Sequence, residues 1–148
     1  MISKKTKYAL KALVQLAEEY QTQQPVLISQ LAKRDKIPKK FLEVILLDLK
    51  NKGILASKKG KGGGYFLSKA PEKITLGSVM RLFEGPIALL PCVSQTAYQK
   101  CEECVDEYSC GIRKVMKEVR DAMSDILDTT TLKEVLDRSR TPEVMYHI

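Results

Sequence analysis

The order of two short helical patterns and one hairpin pattern, between residues 28 and 68, constrains the fold more than any other feature of the chain. Residues 28–34 and 38–50 both show helical spacing of apolar residues, with a tight turn around Asp35 and Lys36 between them. Pro38 suits the first residue of the second helix, because its missing N–H would have no helical partner there. One apolar stripe runs along this helix, formed by Phe41, Leu42, Ile45, Leu46 and Leu49. The opposite side carries Lys39, Lys40, Glu43 and Lys50.

A glycine-rich hairpin pattern follows that helix. Gly53 can end the helix in a left-handed backbone conformation, and the run "ILAS" then has the composition of a short strand. The run "KKGKGGGYFLS" continues as a basic glycine turn and a second strand from Tyr65 to Ser68. Residues 4–20 add an amphipathic helix before these elements. Three helices followed by a small hairpin are the order of a winged helix-turn-helix, which places its last helix in the major groove of DNA.

Basic residues are concentrated in the first half of the chain. Residues 1–73 contain 16 Lys and Arg against 6 Asp and Glu, whereas residues 74–148 contain 9 against 12. The net charges are therefore +10 and −3, which add to the +7 of the whole chain. A solvated basic surface that aids solubility is one explanation, and a surface for a polyanion is the other. The size of the asymmetry favours the polyanion.

Outward-facing residues of the second helix and the hairpin are the candidate DNA contacts. Lys39 and Lys40 can contact guanine O6 and N7 or neutralise phosphate, and Glu43 can accept a hydrogen bond from cytosine N4. In the hairpin, Gly62 and Gly63 lack side chains, so backbone can approach a sugar-phosphate chain closely. The basic residues beside these glycines are Lys58, Lys59 and Lys61. A nucleotide-binding phosphate loop would need a helix after the glycines, but "YFLS" predicts a strand there. The remaining alternative to DNA binding is a plain helical hairpin whose charged face is in contact with solvent.

A longer helical pattern lies in the second half of the chain. Its apolar residues recur at spacings of three and four, at Ile112, Val115, Met116, Val119, Ala122, Met123, Ile126 and Leu127. Such a stripe beyond the winged domain favours pairing with a second copy of the chain, and packing on its own domain is the alternative. Thr75 is the expected cap of a helix over 76–84, and Thr131 with Glu134 has capping-box spacing at the start of a final helix. His147, the single histidine, lies in the tail and is interpreted as a surface residue.

Four cysteines lie within one segment, at Cys92, Cys101, Cys104 and Cys110. No run approaches the roughly 18 apolar residues of a membrane span. The first helix ends in acidic residues, which a signal peptide does not do. The chain is therefore predicted to be cytoplasmic, without membrane contact. In that reducing compartment, clustered thiols favour metal or redox chemistry over disulfides. Four soft ligands suit zinc and an iron-sulfur cluster alike, and a bare thiol sensor stays open as well.

No catalytic constellation accompanies these thiols. The pair Cys101 and Cys104 does not open a thioredoxin-like βαβ unit, and no arrangement of histidines or acids completes a hydrolytic site. The chain is therefore interpreted as a protein that is not an enzyme, with no catalytic residues.

Three runs carry a resemblance to a known family, "ISKKTKYALKAL", "LAKRDKIPKKFLEVILLDLKNKGILASKKGKGGGYFLSK" and "ITLGSVMRLFEGP". Together with the late cysteine segment, over about residues 1–138, they resemble the winged-helix transcriptional regulators of the IscR, NsrR and CymR type, the Rrf-two family. The resemblance implies a mostly α-helical fold with a small β-hairpin wing, in which a winged helix-turn-helix is followed by a long C-terminal dimerisation helix. It also implies a homodimer that binds a quasi-palindromic operator in double-stranded DNA.

In cluster-binding members of that family, three cysteines hold a [2Fe-2S] or [4Fe-4S] cluster together with a fourth ligand that varies. By resemblance, the three cysteines in this chain are Cys92, Cys104 and Cys110. Some members use a histidine three residues after the last cysteine, where this chain has Arg113. Others take an acid or histidine from the partner's first helix, and residues 4–12 contain neither. Cys101 is then expected as the fourth ligand, with zinc at the four cysteines as the alternative.

These inferences predict a domain organisation and a function. Residues 1–85 are expected to form the winged domain, 86–111 a sensory loop, 112–140 the dimerisation helix with the C-terminal helix, and 141–148 a tail. The predicted function is a dimeric DNA-binding transcriptional regulator whose operator affinity depends on redox state, nitric oxide or iron through the cluster. The alternative is a cluster-free regulator of the same fold that senses a metabolite or partner protein, or one with a structural zinc or thiol switch. The predicted DNA contacts are Ser3, Lys4, Lys7, Lys39, Lys40, Phe41, Glu43, Lys58, Lys59, Lys61, Gly62 and Gly63, and the predicted dimer contacts are Ile112, Val115, Met116, Val119, Met123 and Ile126.

Overall fold

The computed structural model describes residues 1–141, in which six α-helices and one two-stranded antiparallel sheet form the fold. The helices are α1 (Lys4–Glu18), α2 (Ile28–Asp35), α3 (Lys39–Asn51), α4 (Leu76–Glu84), α5 (Gly111–Thr129) and α6 (Leu132–Arg140). Strands β1 (Leu55–Lys58) and β2 (Gly64–Leu67) lie between α3 and α4, and short 3-10 helices cover Pro71–Lys73 and Pro91–Val93. The predicted fold class, mostly α with a small hairpin wing, is confirmed. His147, with most of the predicted tail, lies outside the described residues.

Side-chain caps set the beginnings of four helices, α1, α4, α5 and α6. Thr75 accepts a hydrogen bond from the Ser78 N–H, and Thr131 and Glu134 form a complete capping box at α6, so both expected caps are confirmed. The second helix of the helix-turn-helix begins at Lys39 instead of Pro38. Pro38 has a ψ of 124°, which is extended, so the proline precedes the helix as its cap residue and the prediction was one residue early.

Helix α1 lies at the centre of the core. It packs against α2, α3, α4, α6 and β2, and its buried face consists of small and branched apolar residues such as Ala9, Ala12 and Leu13. Alanines on this face allow neighbouring helices to approach, while each fully buried leucine contributes about 1.5–3 kcal/mol. Leu132 and Leu136 bring α6 into the same core, so the chain returns to the winged domain after α5.

Backbone bonds join the remaining elements to this core. Val26 and Tyr65 exchange two hydrogen bonds, of 2.8 and 2.9 Å, which fix the hairpin to the segment before α2. The Leu76 N–H donates to the Thr130 carbonyl, and the Leu132 N–H donates to the Ile74 carbonyl, both at 2.9 Å. Together these bonds hold the start of α4 beside the α5–α6 junction. Within residues 1–141, no helix combines the length and apolarity that a membrane-spanning helix requires.

Candidate DNA-binding surface and cysteine loop

The turn between α2 and α3 sets the orientation of the candidate recognition helix. Lys36 adopts a left-handed conformation with φ of 54°, and the following Ile37 is buried. The Ile37 N–H donates to the Ala32 carbonyl at 2.9 Å, which closes the end of α2. Because Ile37 is buried in the core directly before α3 begins, the turn has little freedom. Helix α3 is thereby held against α1 and α2 by its own apolar face.

Helix α3 separates a buried face from an exposed one. Its buried residues are Leu42, Ile45, Leu46 and Leu49, as the spacing predicts. Its exposed polar residues include Lys39, Lys40, Glu43 and Lys50. Two exposed residues of α3, Val44 and Leu47, were not recognised from the sequence, because an apolar residue in an amphipathic helix is assigned to the core by default.

Phe41 does not belong to the buried stripe in which the sequence analysis placed it. It is exposed, and its ring contacts the Tyr8 ring edge-on, with centroids 5.7 Å apart and an interplanar angle of 86°. This geometry is favourable for aromatic pairs. Phe41 therefore lies at the margin of the exposed face of α3, where α1 supports it.

The wing glycines are required by the chain itself. A Cβ on Gly63 would lie 2.3 Å from the Lys58 carbonyl oxygen, and a Cβ on Gly64 would lie 2.3 Å from the Val26 carbonyl oxygen. Gly62 has φ of +75° with open space around it, so it is the one of these three that turn geometry alone explains. The sequence pattern predicts a close approach of DNA at these glycines. The structure adds a local reason, since any side chain at Gly63 or Gly64 would displace the hairpin.

A basic groove of about 490 Å³ lies between α3 and the wing. Its charged lining consists of Lys39, Glu43, Lys50, Lys58 and Lys59. Four lysines against one glutamate make this concave surface electropositive, which suits a polyanion. Lys40 and Lys61 are exposed nearby on the same two elements. The structure thus brings together the candidate residues of the recognition helix and the wing.

The predicted DNA contacts in the N-terminal segment do not line the basic groove. Lys4 is exposed on the first turn of α1, whereas Lys7 lines a separate cavity with Leu10 and Val135. The Ser3 side chain accepts a hydrogen bond from the Thr6 N–H at 3.2 Å and so caps α1. The sequence analysis missed this capping role, although serine before a helical run is a capping signal.

Glu84, the last residue of α4, contacts the same helix start. It accepts a hydrogen bond from the Ser3 N–H at 2.7 Å and another from the Thr6 hydroxyl. These bonds, first that of Thr6 and then those of Ser3, lower the pKa of Glu84 to about 2 from an ordinary value of 4.5. A carboxylate at a helix N-terminus is also favoured by the helix dipole. Glu84 therefore joins the end of α4 to the beginning of α1, directly before the loop that carries the cysteines.

Replacing Glu84 with glutamine keeps an acceptor oxygen but removes the negative charge at the start of α1, and is expected to lower the melting temperature at pH 7 by about 1–4 °C. Because the pKa of Glu84 is lowered on folding, its stabilisation is complete above about pH 4.5 and is lost as the pH falls towards 2. The difference between the two proteins should therefore shrink over that window. Thermal unfolding followed by circular dichroism at pH 7, 4 and 2 measures it. Glu72→Gln, at an exposed position on another element, is the control and should show no such pH-dependent difference.

The four thiols occupy one loop between α4 and α5, and all are free. Cys92 is buried in the 3-10 helix Pro91–Val93, whereas Cys101, Cys104 and Cys110 are half-buried. The pKa of Cys101 is raised, first by its hydrogen bond with the Cys92 thiol, then by desolvation, and further by the charges of Cys92, Cys104 and Glu103. Cys92 and Cys101 are thus neighbours in space. This contact brings together the extra cysteine and the first of the three that the resemblance implies.

Helix α5 holds both ends of the loop. The Cys110 sulfur accepts a hydrogen bond from the Arg113 N–H at 3.5 Å and so caps α5. The Arg113 side chain donates to the Cys92 carbonyl at 3.3 Å, and Arg120 donates to the Val93 carbonyl at 2.6 Å. Two arginines of α5 therefore fix the segment that carries Cys92. Arg113, at the position where the resemblance would allow a histidine ligand, has a positioning contact here.

Two further contacts order the acidic middle of the loop. The Tyr98 hydroxyl donates to the Glu107 carboxylate, and this bond is the main reason that the pKa of Tyr98 rises to about 12. Asp106 accepts from the Ser109 and Tyr108 N–H groups, both at 3.1 Å. The pKa of Asp106 is lowered first by the Ser109 side chain and then by these backbone bonds. Cys101 and Cys104 lie between Tyr98 and Glu107 in the chain. Among residues 1–141, no three His, Cys, Asp or Glu side chains converge closely enough to hold one metal ion.

Helix α5 presents an apolar face without a partner in the described part of the chain. None of its 19 residues is buried. The structure places Met116, Val119 and Met123 in half-buried positions and leaves Ile112, Val115 and Ile126 exposed. Arg81 of α4 forms a two-pronged ion pair with Asp128, at 2.5 and 2.9 Å, on another side of α5. Packing on its own domain, the alternative drawn from the sequence, thus covers only part of this helix.

A helix-turn-helix, a following two-stranded wing and a basic groove between them define a winged-helix DNA-binding protein. The model of the Rrf2 family, described as iron-dependent transcriptional regulators, matches residues 2–138, and the chain belongs to this family. The resemblance drawn from the sequence is therefore confirmed. So is the interpretation that the chain is not an enzyme, because the family consists of transcriptional regulators.

Individual relatives agree with this assignment. A Rhodobacter capsulatus protein whose name describes it as rrf2-like is 47% identical over 138 residues, which cover 92% of each chain. NsrR of Bacillus licheniformis is 30% identical over 131 residues, or 88% of each chain. The solved structure of CymR, titled the global cysteine regulator of Bacillus subtilis, has a TM-score of 0.78 at 30% identity over 96% of this chain and 98% of the other.

Proposed function

We propose that this protein is a homodimeric, sequence-specific regulator that binds duplex DNA through α3 and the wing, with an affinity set by an iron-sulfur cluster in the cysteine loop. The observation that carries the DNA-binding part is the basic groove, in which Lys39 and Lys50 of α3 face Lys58 and Lys59 of the wing across a concave surface. In a winged helix this is the side where the recognition helix meets the major groove and the wing meets the adjacent backbone. A DNA-binding regulator of this kind is expected in the cytoplasm.

The wing assignment predicts a change in salt dependence. Replacing Lys59 and Lys61 with alanine removes two charges from each wing, and each phosphate that is no longer neutralised should reduce the log–log salt slope by about 0.9. For a dimer with two wings the slope should therefore fall by up to about 3.6. Fluorescence anisotropy on an operator duplex at several salt concentrations measures it. Lys73→Ala, an exposed lysine outside the groove, is the control, and an unchanged slope in the double variant would contradict the wing assignment.

The homodimer is supported by the unsatisfied face of α5. An apolar stripe of this 19-residue helix is exposed, with exposed fractions of 65%, 55% and 65% for Ile112, Val115 and Ile126. An apolar stripe of this length is stable in water when a second helix covers it. A two-fold dimer through α5 would use the same stripe on both copies and would place two recognition helices for a two-part operator. The domain boundaries after residues 85, 111 and 140 remain predictions.

The description of the matched family supports a cluster more than a single zinc ion. The donor set is four soft thiols, and the matched family is described as iron-dependent. A zinc ion requires all four sulfurs at about 2.3 Å from one point. A cluster distributes its ligands over two or four irons, so the thiols need not converge on one point. The description of the family as iron-dependent therefore favours the cluster over zinc.

The cluster would be held by the four thiols of Cys92, Cys101, Cys104 and Cys110. When bound, it would supply a link between these thiols that is sensitive to oxidation and to iron. Cys92 lies on the segment held by Arg113 and Arg120, and Cys110 caps α5. Ligation would therefore join the 3-10 helix to the beginning of α5. The Arg81–Asp128 pair connects α5 to α4, and Glu84 connects α4 to α1. A loop state that favours one arrangement of α5 can in this way change the spacing of two recognition helices.

Anaerobic purification tests the cluster directly. The expected result is a brown protein that contains iron and acid-labile sulfide, and whose operator affinity changes when the iron is removed. A colourless protein with one zinc per chain would contradict the cluster and support the zinc alternative. DNA binding by the iron-free protein to some sequence remains expected in either case, because the groove does not depend on the thiols.

A thiol switch without a cluster is the second candidate, and the contact between Cys92 and Cys101 favours it over other cluster-free mechanisms. In that reaction hydrogen peroxide would accept two electrons from the two thiols, and a disulfide and two waters would form. Mass spectrometry after peroxide treatment detects the Cys92–Cys101 bond. A regulator of this kind would bind DNA equally with and without iron but would change its affinity on oxidation.

A further inference from the structure

The exposed face of α3 is more apolar than a solvent-facing helix side usually is. Phe41, Val44 and Leu47 are 43%, 54% and 50% exposed, although the helix has a complete buried face of four residues on its other side. Successive residues of an α-helix are about 100° apart, so Val44 and Leu47 point away from the buried leucines and isoleucine. They therefore contribute nothing to the core that the structure describes, and their apolar surface requires another explanation.

Val44 and Leu47 lie in one row with two charged residues that already belong to the candidate DNA surface. Lys40, Glu43, Val44 and Leu47 follow the spacing i, i+3, i+4 and i+7, which places all four on one face of the helix. Recognition helices use this same spacing for the residues that reach base edges in the major groove. The row thus combines one cation, one acceptor and two aliphatic side chains at the positions where bases are contacted.

The charges around this row indicate what covers it. Lys39, Lys40 and Lys50 flank the apolar residues on α3, and the basic groove continues from them to the wing. An apolar surface beside several lysines suits a partner that is a polyanion and also presents apolar groups. In the major groove of duplex DNA, the apolar group that a base pair presents is the C5 methyl of thymine, which aliphatic side chains contact.

We infer that Val44 and Leu47 contact thymine C5 methyl groups in the major groove, and that they give the protein a preference for thymine at those operator positions. The inference rests on the proposed function. Phe41 has a different part, because the Tyr8 ring holds it at the margin of the row. It forms one fixed side of the apolar surface, while Val44 and Leu47 provide the contacts at its centre.

Exchange of thymine for deoxyuridine tests the inference, since deoxyuridine has the same hydrogen-bonding groups without the methyl. The full-length dimer is first used to select a preferred duplex from a random pool. Each thymine of one half-site is then replaced in turn, and affinities are measured by fluorescence anisotropy at fixed salt. At one or two positions the exchange should weaken binding about fourfold, the effect of one methyl group removed from contact.

Alanine variants identify the residue behind each methyl effect. For Val44→Ala and Leu47→Ala the sensitive positions should become insensitive, with less than about a 1.5-fold difference between the two duplexes, because the shortened side chain no longer reaches the methyl. Val105→Ala is the matched control, since Val105 is an exposed valine in the cysteine loop, away from α3, and this variant should retain the full difference. Both alanine substitutions are at exposed positions of α3, so the fold should be unaffected.

Each outcome decides the inference. If no thymine in the half-site is sensitive, or if both alanine variants retain the sensitivity of the wild-type protein, the inference is wrong while sequence-specific binding stands. If the random pool yields no preferred duplex, the proposed function is wrong and the inference is wrong with it. Disappearance of the sensitivity in Val44→Ala or Leu47→Ala, with retention in Val105→Ala, supports it.

Discussion

Replacing Val115 with aspartate is expected to convert the dimer into a monomer and to weaken operator binding at least about a hundredfold. The valine lies in the exposed apolar stripe of α5, one turn after Ile112. In a dimer through this stripe, the new carboxylate would be buried between two apolar surfaces without a partner, at a cost of several kcal/mol in each copy. Because a monomer binds one half-site only, it lacks the added affinity of linked binding. Sedimentation equilibrium and fluorescence anisotropy measure the two effects.

The neighbouring residue provides the control for this variant. Lys114 is exposed and about 100° from Val115 around α5, on the side away from Ile112 and Ile126. Lys114→Asp should therefore remain a dimer, even though it introduces the same side chain. The monomeric Val115→Asp variant should keep its helical circular dichroism, because none of the α5 residues is buried in the core of one chain. If Val115→Asp sediments as a dimer, the chain pairs through another surface.

Replacing Cys92 with serine is expected to lower the iron and acid-labile sulfide per chain at least about tenfold, since a hydroxyl is a far weaker ligand for iron than a thiolate. If Cys101 is the fourth ligand, Cys101→Ser should lower the iron and acid-labile sulfide per chain by the same factor. Cys92 and Cys101 are neighbours in the structure, so a comparison of the iron and sulfide lost in the two serine variants tests the ligand set most directly. Metal analysis and visible absorption of anaerobically purified protein measure the change. Retention of iron and sulfide in Cys101→Ser, with depletion in Cys92→Ser, would show that Cys101 is not a ligand.

Cys110 needs two variants, because it has two roles. Its sulfur caps α5 by accepting from the Arg113 N–H, and serine is among the best residues for a helix cap. Cys110→Ser therefore removes the thiolate and keeps the cap, whereas Cys110→Ala removes both. Loss of iron in both variants, with a lower melting temperature in Cys110→Ala alone, is the expected pattern. Ser109→Ala, one residue before, is the control for changes in the loop and should keep its iron.

The helices and their ends follow from local sequence to within a few residues. Thr75 and Thr131 begin α4 and α6 as expected, because a cap depends on residues that are three apart in the chain. The hairpin is shifted by about one residue, with β2 at Gly64–Leu67 instead of 65–68. The Tyr65 bonds to Val26 hold the hairpin from outside it, and periodicity within the hairpin carries no information about that contact.

The recognition helix shows where periodicity is insufficient. Spacing assigned five apolar residues to the buried stripe, and four of them are buried. Phe41 is at the margin because Tyr8 of α1 contacts it, while Val44 and Leu47 were overlooked on the outer face. The sequence does not show whether an apolar side chain packs in the core or is exposed on a surface that binds a partner. Only the positions of α1 and α2 around α3 distinguish the two cases.

Local sequence is sufficient for the order of helices and strands, the helix caps, the separation of basic and acidic halves and the four thiols within one loop. These features depend on composition or on residues a few positions apart. Packing in three dimensions establishes that Glu84 holds the start of α1, that Arg113 and Arg120 hold the segment of Cys92, and that the rest of residues 1–141 leaves an apolar face of α5 uncovered. The hydrogen bonds of Glu84, Arg113 and Arg120 join residues between 21 and 81 positions apart, so they exist only after α1, α4 and α5 have packed.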